Sequence, residues 1–320
     1  MEEQVLVFTP FPLDSLQGNA VSAKRIARLL ERAGVPARAV DAIPGSGEVR
    51  ALIALHACRS AAAMEEFARN FPHCPRYLLL PGSDLFRCLP EDDPRPLPMM
   101  EAADSLVVAN AGLVAEVPAA LRHKVRVIPK SLAIEVPDWA PVAASHFRII
   151  AVSHLRAQKD PFLAVSALEL LPDLDDLELI HIGAQSEAGY AQRAQAYARS
   201  EPRFRWLGQL SHREAVALAA GSHLMVNTSL MEGGANSICE ALHIGLPVLA
   251  TRIPGNVGML GDDHPGLFAA GDAAALAVLM RRARSDGAFL KELSAISSER
   301  AHHFTPELET RGWLELLRPA

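Results

Sequence analysis

Short apolar runs alternate with longer segments of helical periodicity almost from end to end, and this alternation limits the folds open to the chain. QVLVFT (4–9), RALIAL (50–55), RYLLL (76–80), SLVVAN (105–110) and KVRVIP (124–129) form a first series. FRIIAVS (147–153), LELIHIG (177–183), RFRWLG (203–208), HLMVNTS (223–229) and LPVLATR (246–252) form a second. Runs this short and this apolar suit strands covered on both faces. Helical spacing appears between them at 18–33, 160–171, 187–199, 211–220 and 235–244, and again at 272–284, 286–302 and 306–318. Repeated βα units of this kind predict an α/β fold with parallel sheets wrapped by helices. The stretch 130–146, with two prolines and no period, divides the series. The expectation is two doubly wound domains facing across a cleft, residues 1–140 and 141–305, with 306–320 as a C-terminal helix. Ligands of such sheets bind beyond the carboxyl ends of the strands.

Composition removes several classes. With 320 residues, half of them hydrophobic, the chain is long enough for two cores. Lys plus Arg is 31 and Asp plus Glu is 37, a net charge of −6, which argues against nucleic acid as a partner. The N-terminus MEEQ is acidic, unlike the basic start of a signal peptide. No uncharged apolar run is long enough to cross a bilayer, so no stable membrane association is expected. Cys58, Cys74, Cys88 and Cys239 have no CxxC or zinc-type spacing. They are read as reduced thiols of a cytoplasmic protein.

The densest local signal is SLMEGGANSICEALHIGLPVLAT (229–251). A strand ends, Gly233 and Gly234 let a ligand approach the backbone, and a helix begins near Ala235. The free N–H groups of Asn236, Ser237 and Ile238 suit an anion. Glu232 in the turn and Glu240 in the helix can face one ligand, and carboxylates accept well from sugar hydroxyls. In HLRAQKDP (154–161), Arg156 and Lys159 follow a strand and can neutralise a diphosphate. ALHACRSA (54–61) repeats the pattern with His56 and with Arg59 near a helix start, where its charge opposes the helix dipole. A buried, backbone-bonded histidine is the other reading of His56. Asp84 in GSDLF (82–86) suits either a helix N-cap or a ligand-facing role. Gly18 and Asn19 open the first helix, with one glycine rather than GxGxxG. RIPGNVGML (252–260) reads as a flexible, backbone-exposed loop with Asn256 between two glycines.

The E-x7-E spacing of Glu232 and Glu240 resembles the retaining glycosyltransferases of the GT-B fold, those like family 4. GNAVSAKRIARLL (18–30), ALHACRSAAA (54–63), GSDLF (82–86), HLRAQKDP (154–161), FRWLGQL (204–210), MEGGANSICEAL (231–242) and RIPGNVGMLGDDHPG (252–266) narrow this. Over nearly the whole chain it is similar to the selenosugar synthases of selenoneine biosynthesis. It departs from them at Cys58 and Phe86, where that family carries arginine and tyrosine. The resemblance implies a UDP-sugar donor, UDP-N-acetylglucosamine or a close relative, and selenophosphate as acceptor. It implies that Arg156, Lys159 and the helix start at Asn236–Ile238 hold the diphosphate, and that Glu240 holds the ribose. Glu232 with Gly233, Gly234 and Ala235 would hold the sugar, and Leu210 would lie at the nucleobase. His56 would face the sugar, the Gly18–Asn19 turn would cover the diphosphate, and Asn256 would help dock the acceptor. Arg59, with Arg156, Lys159 and Arg25, would make the pocket positive for a second anion. Neither a cofactor nor a metal is expected, and no Asp-x-Asp metal motif is read in the chain. The alternatives are an ordinary transferase with a lipid or sugar hydroxyl acceptor and a non-catalytic nucleotide-sugar binder. A lipid acceptor would favour a basic face on helix 18–33, through Lys24, Arg25, Arg28 and Arg32.

Overall fold

The computed structural model describes residues 3–15, 17–90, 93–132 and 146–318. The chain divides into two compact units, Met1–Ser131 with Phe304–Ala320, and Leu132–His303. Most of the expected divider at 130–146 lies outside the described residues.

The first unit is a six-stranded sheet. Its strands are β1 (Gln4–Phe8), β2 (Ala37–Val40), β3 (Val49–Leu55), β4 (Arg76–Leu79), β5 (Ser105–Val108) and β6 (Val125–Val127). All neighbours pair in parallel, in the order β2-β1-β3-β4-β5-β6. The helices α1 (Gly18–Arg32), α2 (Ala57–Asn70) and α3 (Pro96–Ala102) connect them. Strand β2 escapes the sequence reading because it is short, and its inner residues Arg38 and Ala39 are exposed and half-buried. The apolar strands bury both faces. Leu52, Leu78 and Leu106 join Met64 and Phe67 of α2 on one face. Val5, Val7 and Ile53 join Ile26 and Leu30 of α1 on the other.

The last helix of the chain also belongs to this unit. It spans Pro306–Leu316, and its Trp313, 1% exposed, enters the α1-side core. Its Glu309 is equally buried. Glu309 Oε1 accepts from Arg25 Nη2 at 2.9 Å and from Trp313 Nε1 at 3.3 Å, and Oε2 accepts from Ser131 N at 2.7 Å. Arg25 Nη1 in turn donates to Ser131 O. Arg25 is therefore committed within the unit and is not part of an anion pocket. Lys24 donates to Leu13 O, which leaves Arg28 and Arg32 as the exposed cations of this helix. The free basic face expected for a lipid acceptor is reduced accordingly.

The second unit has β7 (Phe147–Val152), β8 (Leu177–Ile182), β9 (Phe204–Trp206), β10 (Leu224–Asn227), β11 (Val248–Thr251) and β12 (Leu267–Phe268). They too are all parallel, in the order β12-β11-β10-β7-β8-β9. Helices α4 (Leu163–Glu169), α5 (Tyr190–Ser200), α6 (His212–Ala220), α7 (Asn236–Ile244), α8 (Pro254–Leu260), α9 (Ala273–Ser285) and α10 (Gly287–Ala301) surround the sheet, and the C-terminal helix of the first unit is α11. The strand order reverses between β7 and β10. In the first unit it reverses between β1 and β3. Crevices open at such reversals because the connections leave to opposite faces.

Two corrections concern this architecture. The segment 252–260 is not a loop, since α8 occupies most of it. The four cysteines are not all reduced thiols: Cys58 and Cys88 are joined. The pairing escapes a spacing rule because 30 residues separate the two. Among the described residues, no helix is long and apolar enough to cross a membrane.

The second unit buries two neutral imidazoles. Burial pushes His181, and likewise His264, down to about 4 from 6.5. The unfolded chain binds these protons more readily than the folded one. Stability is therefore fully present above pH 6.5 and is lost as pH falls toward 4. Between pH 7 and pH 5 each histidine costs about 2 kcal/mol. A urea midpoint that does not fall over this range, or that falls equally in His181→Gln/His264→Gln, would contradict the assignment.

Candidate functional site

Two connections meet beside the strand-order reversal of the second unit. After β7 the chain makes a single turn of 3-10 helix, Ala157–Lys159, followed by Asp160 in the left-handed region at φ 39°. After β10 it runs through Thr228–Gly234 into α7. Thr228 Oγ1 donates to the carbonyls of Lys159 and Asp160, both at 2.9 Å, and Leu230 N donates to Gln158 O at 2.9 Å. These bonds lock the basic turn onto the glutamate turn, so residues 73 apart share one site.

At its centre Lys159 Nζ forms an ion pair with Glu232 Oε1. Ser229 Oγ donates to the same oxygen at 2.6 Å. Burial pushes the Glu232 carboxyl up, but the charge of Lys159 and hydrogen bonds from Lys159, Ser229 and Asn227 outweigh it and hold the group below its usual value. Glu232 is thus an anion at neutral pH. Arg156 lies in the same turn, half-buried, with Nε enclosed and without a hydrogen-bond partner among the described residues. His154 registers this positive field: burial first, then Arg156 and Lys159, push its imidazole down.

Helix α7 begins at Asn236 with Ala235 as N-cap. It has neither a side-chain cap nor an acidic residue in its first turn. Asn236 is exposed and Ser237 half-buried, while Ile238 is buried. The amides of the first turn and the dipole therefore remain available to an anion. Gly233 and Gly234 are half-buried in the turn before it. Glu240, further along α7, is buried, and its Oε1 lies 3.1 Å from Nε2 of the exposed His212 on α6. That hydrogen bond raises the His212 imidazole. Leu210 stands half-buried just before Ser211, the N-cap of α6.

Asn256 needs correction. It is fully buried in α8, where its Nδ2 donates to Thr251 O and Oγ1 at 3.0 Å and to Asn227 Oδ1 at 3.3 Å. It cannot dock a ligand; it supports Asn227, which supports Glu232. Gly255 beside it has a steric role. A Cβ there would stand 2.1 Å from the Glu232 carbonyl oxygen. Gly255→Ala should therefore shift the glutamate turn, cost about 1–3 kcal/mol and lower turnover at least ~10-fold. Unchanged stability and unchanged kcat/KM would remove Gly255 from the site.

In the first unit the corresponding reversal lies beside the turns after β1 and β3. Gly18, exposed, and Asn19, half-buried, form the start of α1. His56 sits at φ 77°, an unusual left-handed backbone for a histidine, immediately before α2. Its Nδ1 lies 2.7 Å from Asp84 Oδ1, and its Nε2 lies 3.3 Å from Ser83 Oγ. Asp84 is fully buried and accepts from Ala57 N at 2.7 Å and Cys58 N at 3.3 Å. It therefore caps α2 and orients His56, which corrects the expectation that it touches substrate. Arg59 is exposed, with its guanidinium 5.2 Å from the centre of the Phe11 ring.

The chain does contain an Asp-x-Asp string, Asp173-Leu174-Asp175, which corrects the sequence reading. It precedes β8, at the amino end of the sheet, and Asp173 pairs with Arg281 on the exposed surface. Ser229, Asn227 and Thr251 are supporting residues that spacing did not reveal. The signal available was a run of polar side chains at the carboxyl end of an otherwise apolar strand.

The description Glycosyl transferases group 1 matches residues 142–302, half of the chain and nearly all of the second unit. The chain belongs to this family. This group 1 glycosyltransferase is similar in fold to Anabaena HepE, solved with UDP and glucose, at TM-score 0.75 and 16% identity over 99% of each chain. It is similar to sucrose-phosphate synthase of Thermosynechococcus elongatus at TM-score 0.76 and 16% identity, covering 98% of both chains. The lipopolysaccharide outer core galactosyltransferase WaaB, solved in its apo form, matches at TM-score 0.72 and 15% identity over 98% of each. The transferase therefore has the GT-B fold, two parallel-sheet Rossmann-like α/β domains.

Proposed function

We propose that this transferase moves a sugar from a UDP-sugar, UDP-N-acetylglucosamine or a close relative, to selenophosphate. The donor reading is supported by HepE, solved with UDP and glucose, and by one local arrangement. Arg156, Lys159 and the uncapped start of α7 surround the strand-order reversal of the second unit, with ionised Glu232 beside them. Cations and amides in that position suit a diphosphate, and a neighbouring carboxylate suits sugar hydroxyls. Glu240 is assigned to the ribose, with Leu210 at the nucleobase. In the first unit His56 and Arg59 are assigned to the sugar and the acceptor, with the Gly18–Asn19 turn at the phosphates.

The chemistry needs no strong base. Selenophosphate is an anionic, soft nucleophile at neutral pH. Its selenium attacks C1, the C1–O bond breaks, and the electron pair leaves on the UDP oxygen. Lys159 and Arg156 stabilise that oxygen as its charge grows. Water later removes the phosphate, leaving a selenosugar.

The acceptor rests on the sequence resemblance, and a direct assay tests it. Incubation with UDP-sugars and selenophosphate should yield a selenium-bearing hexosamine by mass spectrometry. Turnover confined to hydroxyl acceptors would replace selenophosphate with the ordinary transferase reading. Glu240→Ala should raise KM for the UDP-sugar about 10-fold or more, with kcat nearly unchanged, because a ribose contact is made equally in the ground and transition states. A fall in kcat at constant KM would displace Glu240 from the ribose.

A further inference from the structure

The joined cysteines lie where two thiols, a carboxylate and an imidazole converge. Cys58 is the second residue of α2, and Cys88 ends a turn of π-helix, Asp84–Cys88. Both are buried. Asp93 N donates to Cys88 O at 3.0 Å, which brings the Asp93 carboxylate back over the pair. The ligand atoms of Cys58, Cys88 and Asp93 lie within 4.8 Å of one another, and those of His56, Cys58 and Asp84 form a second such group sharing Cys58. The cysteine α-carbons are 6.9 Å apart. That lies at the upper edge of what a direct disulfide spans, and two metal–sulfur bonds of about 2.3 Å bridge it readily.

Charge favours the thiolates. A helix N-terminus stabilises the anionic form of a cysteine in its first turn, as at Cys58. Arg95 donates to Asp93 Oδ1 through N at 3.0 Å and Nε at 2.8 Å, which fixes the carboxylate beside the pair. Asp84 accepts the helix amides and contacts His56 Nδ1, so it is already engaged on the far side of Cys58.

We propose that Cys58 and Cys88, in their reduced state, form with Asp93 a binding site for one thiophilic divalent cation, zinc(II) in its chemistry, with solvent in the fourth position. The disulfide is the metal-free, oxidised state of the same pair. A dithiol reductant opens it: two electrons and two protons pass to the sulfurs and the reductant becomes a disulfide. Zinc then displaces the two thiol protons and takes both sulfurs. The ion would fix the first turn of α2 two residues from His56.

The test uses the full chain, reduced with a dithiol and desalted without air, with zinc or cobalt(II) as probe. One zinc per chain should survive desalting, and cobalt should give a thiolate-to-cobalt charge-transfer band. The oxidised chain should hold neither. Cys58→Ser and Cys88→Ser should each lose the band, and Cys74→Ser and Cys239→Ser should keep it. No zinc on the reduced wild-type chain overturns the site whether or not the variants fold. So does a band that survives both Cys58→Ser and Cys88→Ser, or one lost with Cys74 or Cys239.

Discussion

Lys159→Ala is expected to lower kcat at least ~10²-fold, the largest effect of any single substitution in the second unit. Lys159 is the cation held by ionised Glu232 and placed by the Thr228 bonds to its own carbonyl and that of Asp160. If it stabilises charge on the departing diphosphate, its loss is felt in the transition state more than in the bound substrate. A structural effect must be separated from this. Removing one partner of a buried pair costs about 3–5 kcal/mol, because the other charge is left alone. Lys159→Met combined with Glu232→Gln removes both charges and recovers most of that stability. The double variant should melt near the wild type and still turn over at least ~10²-fold more slowly. A double variant with kcat within about 3-fold of wild type would show that Lys159 only holds the turn.

Glu309→Ala is expected to be the most destabilising change in the first unit. It strands Arg25, whose side chain is 18% exposed, and removes acceptors from Ser131 and Trp313. The cost is about 3–5 kcal/mol, or roughly 10 °C in Tm for a unit of this size. The loss should appear as freed α11, with faster hydrogen exchange at Trp313 and quenching of its fluorescence by iodide. A Tm within about 2 °C of wild type would mean that apolar packing of Trp313 alone holds the helix.

Much of the fold was legible in local pattern. Strands buried on both faces are largely apolar, so β1, β3, β7 and β8 announce themselves as apolar runs interrupted only by Gln4, Arg50, Arg148, Glu178 and His181. Strands β2 and β12 did not, because four residues with an exposed inner position, or only two residues, carry too little pattern. The segment 252–260 looked like a loop from its glycines, yet α8 forms there because Pro254 starts it and packing holds Gly255 against Glu232.

The site divides in the same way. Local features written in one short stretch were readable: Glu232 in a turn, the Gly-Gly pair, the start of α7, and the two cations of the Arg156–Lys159 turn. These are backbone and charge properties of neighbours in sequence. Which of them touch was a matter for the tertiary structure, because parallel strands bring together turns far apart in the chain. That is how Lys159 came to meet Glu232, Asp84 to serve His56, Asn256 to turn inward on Asn227, and Cys58 to find Cys88. A carboxylate or amide looks the same in sequence whether it faces solvent, a ligand or a helix end; the burial imposed by packing decides which.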